Sequence, residues 1–415
     1  MKKHSTKVAP LNSYSTQVLI YPFSDGQEGS ESHREISASE SSGEDTSYKT
    51  FTKTVFKVLG GLLVVLCVSS SLVGTTQLVQ LTYESFPCPF FISWFSSNWN
   101  IFFFPLYYFG YMSTTHEKQS LIQKFRECSC VFGEEGMTFK LFVKRTAPFS
   151  ILWTLTNYLH LLALHKLTAT DASALYCCHK AFVFLLSWII LKDRFMGIRI
   201  VAAIMSITGI VMMAYADGFQ GDSILGVALA VGSACTMALY KVLLKMFLDS
   251  GRLGEATHFF STMGLFNFIF ISGVPLILYL THMEHCGSLS SLPWGYLCGI
   301  AGLWLVFNVS VNVGIFLTYP ILISIGTLLS VPGNAAVDVL KHEVTFSVVR
   351  LVATCIICLG FLLLLLPEEW DSLILHFLAT LADKKSDDHG EELTESRIHT
   401  CTFSQANGAV SIPLA

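Results

Sequence analysis

Lys180 is the residue with the clearest chemical potential, because it lies near the middle of an apolar run from 170 to 191. A charged side chain at that depth in a bilayer costs about 2.5–3.5 kcal/mol on insertion scales unless it is paired or hydrated. Lys180 is therefore expected to face the protein interior. Two interpretations stay open: it contacts a substrate or counter-ion, or it forms a structural ion pair or bonds backbone carbonyls.

Amide and indole side chains lie at similar depth. Asn98, Trp99 and Asn100 interrupt the apolar run from 90 to 111, and Asn157 and Asn308 lie inside two further runs. Buried amides need hydrogen-bond partners or water, and an indole can stack on a planar ring or meet a cation on its face. All five are candidate substrate-binding residues, although packing is the commoner role for Trp99.

Pro332 and Gly333 predict a break in the run from 319 to 340, because proline removes a helical hydrogen bond. Irregular backbone at membrane depth is tolerated where it lines a cavity, so this pair is a candidate gating element. Asn334 follows directly, and Asp338 lies one turn later. Together with acidic residues in nearby loops, Asp338 is expected to attract a cation. Ordinary solvated acidic loops are the alternative.

Histidines and short motifs are the features of the sequence that could transfer protons or catalyse a reaction. His160 and His179 lie inside apolar runs and titrate nearest neutral pH, although a neutral, hydrogen-bonded histidine is the commoner case. The string from His282 to His285 cannot place two imidazoles on one helical face for zinc, and no phosphate-binding loop is present. We therefore predict no enzyme, no catalytic residue, no metal and no cofactor.

Composition sets the environment in which these residues must work. Of 415 residues, 52% are hydrophobic and 13% charged, and the mean hydropathy is +0.55. The charged fraction is about half that of a soluble protein, which excludes a soluble fold. The net charge of −4 provides no basic field, so nucleic acid is excluded as a partner.

The chain contains about ten apolar runs, each near the twenty or so residues that a membrane-spanning helix requires. We predict helices at 58–81, 90–111, 147–165, 170–191, 196–215, 223–248, 257–280, 294–316, 319–340 and 346–366. Residues 1–57 are predicted to be a disordered tail, and 367–415 a second tail that begins with a short interfacial helix. The predicted fold class is an all-α polytopic membrane protein.

Lys and Arg in the loops predict the orientation. They concentrate before helix 1 and in the even-numbered loops: Lys49, Lys53, Lys57, Lys118, Lys124, Arg126, Lys140, Lys144, Arg145, Lys192, Arg194 and Arg252. The opposite loops hold only Lys166 and Lys341. Both termini are therefore predicted to be cytosolic.

An internal repeat appears when the second half is shifted by 151 residues over the first. Four matches carry it: Trp153 with Trp304, Asn157 with Asn308, Arg199 with Arg350, and Ser173 with Ser324. Helix 3 then corresponds to helix 8, and the units 58–215 and 223–366 each contain five helices. Because five is odd, the units must be inverted relative to each other, which is the architecture of alternating-access transporters.

These features resemble the drug/metabolite transporter superfamily, and within it solute carrier family 35, over residues 50–370. Subfamily F is indicated by the strings Asn98-Trp99-Asn100, Phe104-Pro105-Leu106-Tyr107-Tyr108, Leu152-Trp153-Thr154-Leu155-Thr156-Asn157-Tyr158, Asp193-Arg194-Phe195-Met196-Gly197 and Leu366-Pro367-Glu368-Glu369-Trp370. The opening Met1-Lys2-Lys3-His4-Ser5 is similar to that of a member proposed to carry thiamine. The resemblance thus implies a transporter, with thiamine as the first candidate solute.

The same resemblance supports a substrate role for Lys180, since relatives with anionic substrates use a lysine on this helix. They also place a base on the ninth helix, where this chain has none between Ser330 and Asn334. The main alternative is therefore an antiporter of nucleotide sugars or phosphorylated metabolites in the secretory pathway. A non-transporting scaffold or sensor is a third hypothesis.

The remaining expectations concern partners and compartment. The partners expected are a small solute and the lipid bilayer; a homodimer, a Cys88–Cys286 disulfide, and a Golgi, vesicle or plasma-membrane location all stay open.

Overall fold

The computed structural model describes residues 42–114, 119–132, 138–191, 197–216, 221–248, 252–284, 292–317, 320–342 and 347–366, and over these ranges it contains helices and no strands. The α-helices are α1 (Ser42–Ser85), α2 (Pro89–Asn98), α3 (Phe103–Thr114), α4 (Leu121–Cys128), α5 (Phe139–Lys166), α6 (Ala169–Cys177), α7 (His179–Leu191), α8 (Gly197–Ala216), α9 (Gly221–Phe247), α10 (Leu253–Phe266), α11 (Gly273–Leu280), α12 (Trp294–Leu317), α13 (Pro320–His342) and α14 (Val348–Leu364). The predicted interfacial helix after Pro367 lies outside the described residues.

Seven described helical segments are long and apolar enough to cross a membrane: Val58–Ser85, Ala169–Ile190, Gly197–Ala216, Gly221–Phe247, Leu253–Leu280, Trp294–Gly314 and Ile321–Lys341. The shorter segment Val348–Leu364 is also apolar. The chain is therefore an all-helical, multi-pass membrane protein. Helix α1 begins at Ser42, earlier than the predicted start at 58.

Three of the predicted helices are interrupted. A 3₁₀ segment, Trp99–Phe102, separates α2 from α3, and a π segment, Asn267–Ile271, lies between α10 and α11. A turn at Cys178 separates α6 from α7. Such irregular turns in membrane helices leave backbone groups that neighbouring side chains must satisfy, and they are common at functional sites.

The break predicted at Pro332-Gly333 is absent, because α13 runs from Pro320 to His342 with Pro332 inside it. A proline removes only one donor from the helical ladder. Gly333 packs closely on α1, where an added Cβ would lie 2.8 Å from Val73 Cγ2. The packing of α13 against α1 therefore holds the helix continuous through the proline.

The helices pack in a recurring set of pairs. Helix α8 packs along α14, α5 along α9, and α1 along both α12 and α13. The α8–α14 crossing is close, since a Cβ added at Gly209 would lie 2.5 Å from Ile357 Cγ1. Helix α10 crosses the 3₁₀ segment and α3, and the π segment contacts α2.

Candidate functional site

A cavity that is partly open lies among α1, α2, α5, α6, α12 and α13. Its lining residues lie toward the ends of α1 and α5 and the beginning of α12. Its described lining is Leu72, Thr75, Thr76, Val79, Ile92, Ser93, Ser96, Ser97, Asn157, His160, Leu161, Leu164, Ser173, Tyr176, Ile300, Trp304 and Ser330.

The surface of the cavity is mostly apolar, with hydroxyl, amide and imidazole groups among its lining residues and no carboxylate, lysine or arginine in the described part of the wall. Ser93 Oγ, Ser96 Oγ and Asn157 Nδ2 are buried there without a hydrogen-bond partner in the described structure. Buried polar atoms normally have a partner, so each such atom requires an explanation. Hydrogen bonds from a bound solute or from water would satisfy such atoms.

A cluster of aromatic side chains adjoins the cavity at Trp304. Trp304 lines the cavity, and its ring centroid lies 6.4 Å from that of Trp153. Trp153 lies 5.3 Å from Tyr240, and beyond them Phe149 and Phe259 meet edge to face at 5.3 Å. These five residues, which we name the aromatic plug, belong to one buried cluster.

Asp338 and Asn334 are buried in a network beside the cavity. The two oxygens of Asp338 accept bonds from Gln77 Nε2 at 2.7 Å and from the backbone N and Oγ1 of Thr170 at 3.0 and 2.6 Å. Asn334 Nδ2 donates to the cavity residue Ser173 at 2.6 Å. Asp338 is 1% exposed. It thus joins α1, α6 and α13, and its carboxylate is fully engaged.

Three of the other acidic residues expected to attract a cation also have partners, whereas Glu84 is exposed at the end of α1. Asp171 Oδ2 lies 3.4 Å from Arg350 Nε, and Asp222 Oδ1 accepts from Lys166 at 2.7 Å. Glu284 accepts from the Phe90 N–H at 2.9 Å. Burial raises the pKa of the Glu284 carboxyl, and the Phe90 hydrogen bond opposes that rise.

Lys180 lies outside the cavity lining. Its Nζ donates to Ser324 Oγ of α13 at 2.5 Å and lies 5.3 Å from the centre of the Phe361 ring of α14. The structure therefore separates Lys180 from Asn157, the one predicted site residue that does line the cavity.

A second intramembrane base, Lys241 of α9, escaped the sequence analysis. Its Nζ lies 2.8 Å from His179 Nε2, and His179 Nδ1 contacts the backbone oxygen of Tyr176. The sequence contains a signal for this residue, because Lys241 interrupts the apolar run 223–248 in the same way as Lys180 interrupts the run 170–191.

The remaining predicted residues lie apart from the cavity wall. Asn267 Nδ2 donates to Asn98 Oδ1 at 2.6 Å, which ties α2 to the π segment. Asn100 is buried at 3% exposure, where the 3₁₀ segment meets α10. The Trp99 ring packs on the rings of Phe95 and Phe102, which is a packing contact. Asn308 Nδ2, on α12, is buried without a partner in the described structure.

Cys88, directly before α2, is disulfide-bonded. Its expected partner, Cys286, lies outside the described residues. Phe90 lies two positions after Cys88, and Glu284 lies two positions before Cys286. The hydrogen bond between Phe90 and Glu284 therefore brings the two segments together. Eight other described cysteines are reduced thiols: Cys67, Cys128, Cys177, Cys178, Cys235, Cys298, Cys355 and Cys358.

A multi-pass helical chain with a cavity between its helices, into which buried hydroxyl and amide groups point, has the design of a membrane transport protein. A model of solute carrier family 35, subfamily F, matches residues 142–364. The chain is 66% identical over 390 residues to mouse solute carrier family 35 member F4, covering 94% of this chain and 80% of that protein. The chain therefore belongs to solute carrier family 35, subfamily F, as predicted.

Two further relatives extend the comparison. Mouse member F3 is 50% identical over 399 residues, covering 94% of this chain and 95% of that protein. An uncharacterized transporter of Schizosaccharomyces pombe is 23% identical over 291 residues, covering 64% of this chain and 83% of that protein. Identity is thus higher to member F4 than to member F3. A solute transporter is the activity class that these relatives support.

Proposed function

We propose that the chain is a secondary transporter of ten membrane helices arranged as two inverted five-helix units. The seven apolar segments, the α14 segment, α5 and the α2–α3 pair would be its spans. An inverted repeat predicts that contacts occur in matched pairs. Helix α1 packs on α12 as α9 packs on α5, and α1 packs on α13 as α9 packs on α6 and α7. Because α8 and α14 correspond to each other in the repeat, the α8–α14 contact would be its own counterpart.

The observation that carries the proposal is the cavity, which is lined by both units and holds three buried polar atoms without partners. In the predicted orientation, with both termini cytosolic, the cavity lies in the non-cytosolic half and the aromatic plug beneath it. Alternating access would then require the plug to separate when the units rock. Trp153 and Trp304, which correspond in the repeat, meet at this point.

A small organic solute with apolar rings and a few hydrogen-bonding groups fits a wall that is mostly apolar and carries hydroxyls and one amide. Thiamine is the candidate that the family resemblance favours, because its aminopyrimidine can bond Ser93, Ser96 and Asn157 and its thiazolium can meet the Trp304 ring. We do not propose that Asp171 and Asp338 attract the cation, since Asp171 already pairs with Arg350 and Asp338 already accepts a hydrogen bond from Gln77.

The test is uptake of labelled thiamine into proteoliposomes that contain the purified full chain. Saturable uptake that Asn157→Ala reduces, with normal uptake by Lys180→Ala, supports a thiamine site in the cavity. Absence of thiamine uptake and of thiamine exchange contradicts the substrate assignment.

An anionic solute is the second candidate. Lys180 and Lys241 interact electrostatically, and neither has a carboxylate within salt-bridge distance among the described residues. Two bases without an anion favour a phosphorylated or nucleotide-linked ligand. Exchange of a nucleotide sugar that Lys180→Ala stops, with thiamine inert in the same liposomes, would replace the first candidate by this one.

A further inference from the structure

His179 and Lys241 form a contact between two bases in the protein interior. His179 is 1% exposed and begins α7 directly after the turn at Cys178. Its Nδ1 faces the carbonyl oxygen of Tyr176, so this nitrogen carries the hydrogen and Nε2 presents a lone pair. Lys241 Nζ lies 2.8 Å from Nε2 and donates to it. One dissociable proton on Lys241 is thus held between the two residues.

Among the described residues, no carboxylate lies within salt-bridge distance of the Lys241 ammonium group. The titratable and charged groups on the surrounding helices are Lys180 of α7, His160 of α5, Tyr176 and Cys177 of α6, Arg199 of α8, Tyr240 of α9 and Cys358 of α14. Among them, Lys180 repels a charge on Lys241. A cation without a counter-charge is costly in a low-dielectric interior, so proton occupancy will respond to small changes in hydration or packing.

The pair also adjoins the cavity. Tyr176, whose carbonyl orients the His179 ring, lines the cavity, and its ring centroid lies 5.2 Å from that of the lining residue His160. His179 and Lys241 belong to α7 and α9, which fall in different five-helix units of the proposed repeat. Gain or loss of the proton therefore changes a hydrogen bond between the units.

We propose that His179 and Lys241 form a proton-binding site that couples proton movement to the transport cycle. The coupling rests on the proposed transport function. When the proton leaves, the ammonium becomes a neutral amine, the imidazole stays neutral, and the proton passes to water. No other bond forms or breaks.

The binding step is tested by 15N NMR of histidine-labelled full-length protein in liposomes, with the His179 signals assigned by their loss in His179→Gln. We expect one pH-dependent step in the His179 signals between about pH 5 and about pH 9. Lys241→Gln should abolish it, because glutamine can still donate to Nε2 but does not titrate. Lys245→Gln, one turn further along α9, should retain it. A His179 signal that does not change with pH in the wild type overturns the proposal, whatever the solute.

The coupling step is tested with labelled thiamine in proteoliposomes at clamped membrane potential. A gradient of one pH unit should drive accumulation up to about tenfold if one proton moves per solute. Lys241→Gln should lose this accumulation but keep thiamine–thiamine exchange at equal pH, and Lys245→Gln should keep both. Unchanged accumulation in Lys241→Gln overturns the coupling. Absence of exchange in the wild type contradicts the thiamine assignment instead, and NMR then decides the proton site.

Discussion

At the residue scale, Asn157 and Asn267 show how the same side chain can bind a solute or hold the fold. Asn157 Nδ2 faces the cavity without a partner, whereas Asn267 Nδ2 bonds Trp94 O at 3.2 Å and Asn98 Oδ1 at 2.6 Å. An amide without a protein partner loses no protein hydrogen bond when it is removed.

Asn157→Ala should therefore leave the melting temperature nearly unchanged and weaken solute transport. One hydrogen bond to a neutral group contributes about 0.5–1.5 kcal/mol, so the apparent KM should rise about two- to tenfold. Asn267→Ala is the matched control, and it should lower the melting temperature. Equal thermal destabilisation by the two variants would argue that Asn157 is structural.

Glu284 offers a pH-dependent prediction. Burial raises its pKa in the folded protein, so its stabilising contribution is complete below the unfolded-state pKa and is lost as pH rises through the folded-state pKa. Glu284→Gln keeps an acceptor for the Phe90 N–H and does not titrate. The variant should gain thermal stability over the wild type as pH increases from about 4 to about 7. A stability difference between Glu284→Gln and the wild type that does not change with pH would contradict the burial argument.

At the element scale, the close approach of α10 to the 3₁₀ segment depends on Gly264. A Cβ added there would lie 2.6 Å from the Ile101 backbone nitrogen and 2.9 Å from the Asn100 carbonyl carbon, atoms that cannot move independently. Gly264→Ala should therefore destabilise the fold by about 1–3 kcal/mol, as overpacking does. Gly273→Ala, with nothing within 4 Å, should be neutral or stabilising in the same thermal-melting assay.

Asp338 joins three helices, so its replacement tests the element contacts rather than cation recruitment. In Asp338→Asn, the new NH₂ group must face either the Gln77 amide or the donors of Thr170. Each unsatisfied buried donor costs about 1–3 kcal/mol, and the variant should melt at lower temperature. The exposed Asp222→Asn should change little. Normal stability with weaker thiamine uptake would restore the cation-attracting role of Asp338.

At the scale of the whole molecule, the orientation predicted from Lys and Arg places Cys88 on the non-cytosolic side, where disulfides persist. Epitope tags at both termini should be digested in sealed vesicles whose cytosolic face is outward. Peptide mapping of the unreduced protein should recover Cys88 joined to Cys286. Protection of one tag alone would indicate an odd number of spans and contradict the inverted repeat.

The sequence by itself determined the membrane class, most span positions and the family, because hydropathy and local motifs depend only on nearby residues. It also identified Asn157 as a site candidate, since a polar residue inside an apolar run is unusual wherever the helix packs. It did not indicate the interruptions at Trp99–Phe102 and Asn267–Ile271. The first of these segments packs against α10 and the second against α2, so both depend on helices elsewhere in the chain.

Only the tertiary structure decided which polar residues share a surface. Successive helical residues point about 100° apart, so a sequence position does not specify the neighbour that a side chain meets. Packing of α13 on α1 kept Pro332 inside a helix, and it gave Asp338 partners 168 and 261 residues away. Packing of α7 on α9 joined His179 to Lys241 and left Lys180 beyond the cavity wall. These contacts depend on helices distant in the chain, and local sequence patterns therefore do not encode them.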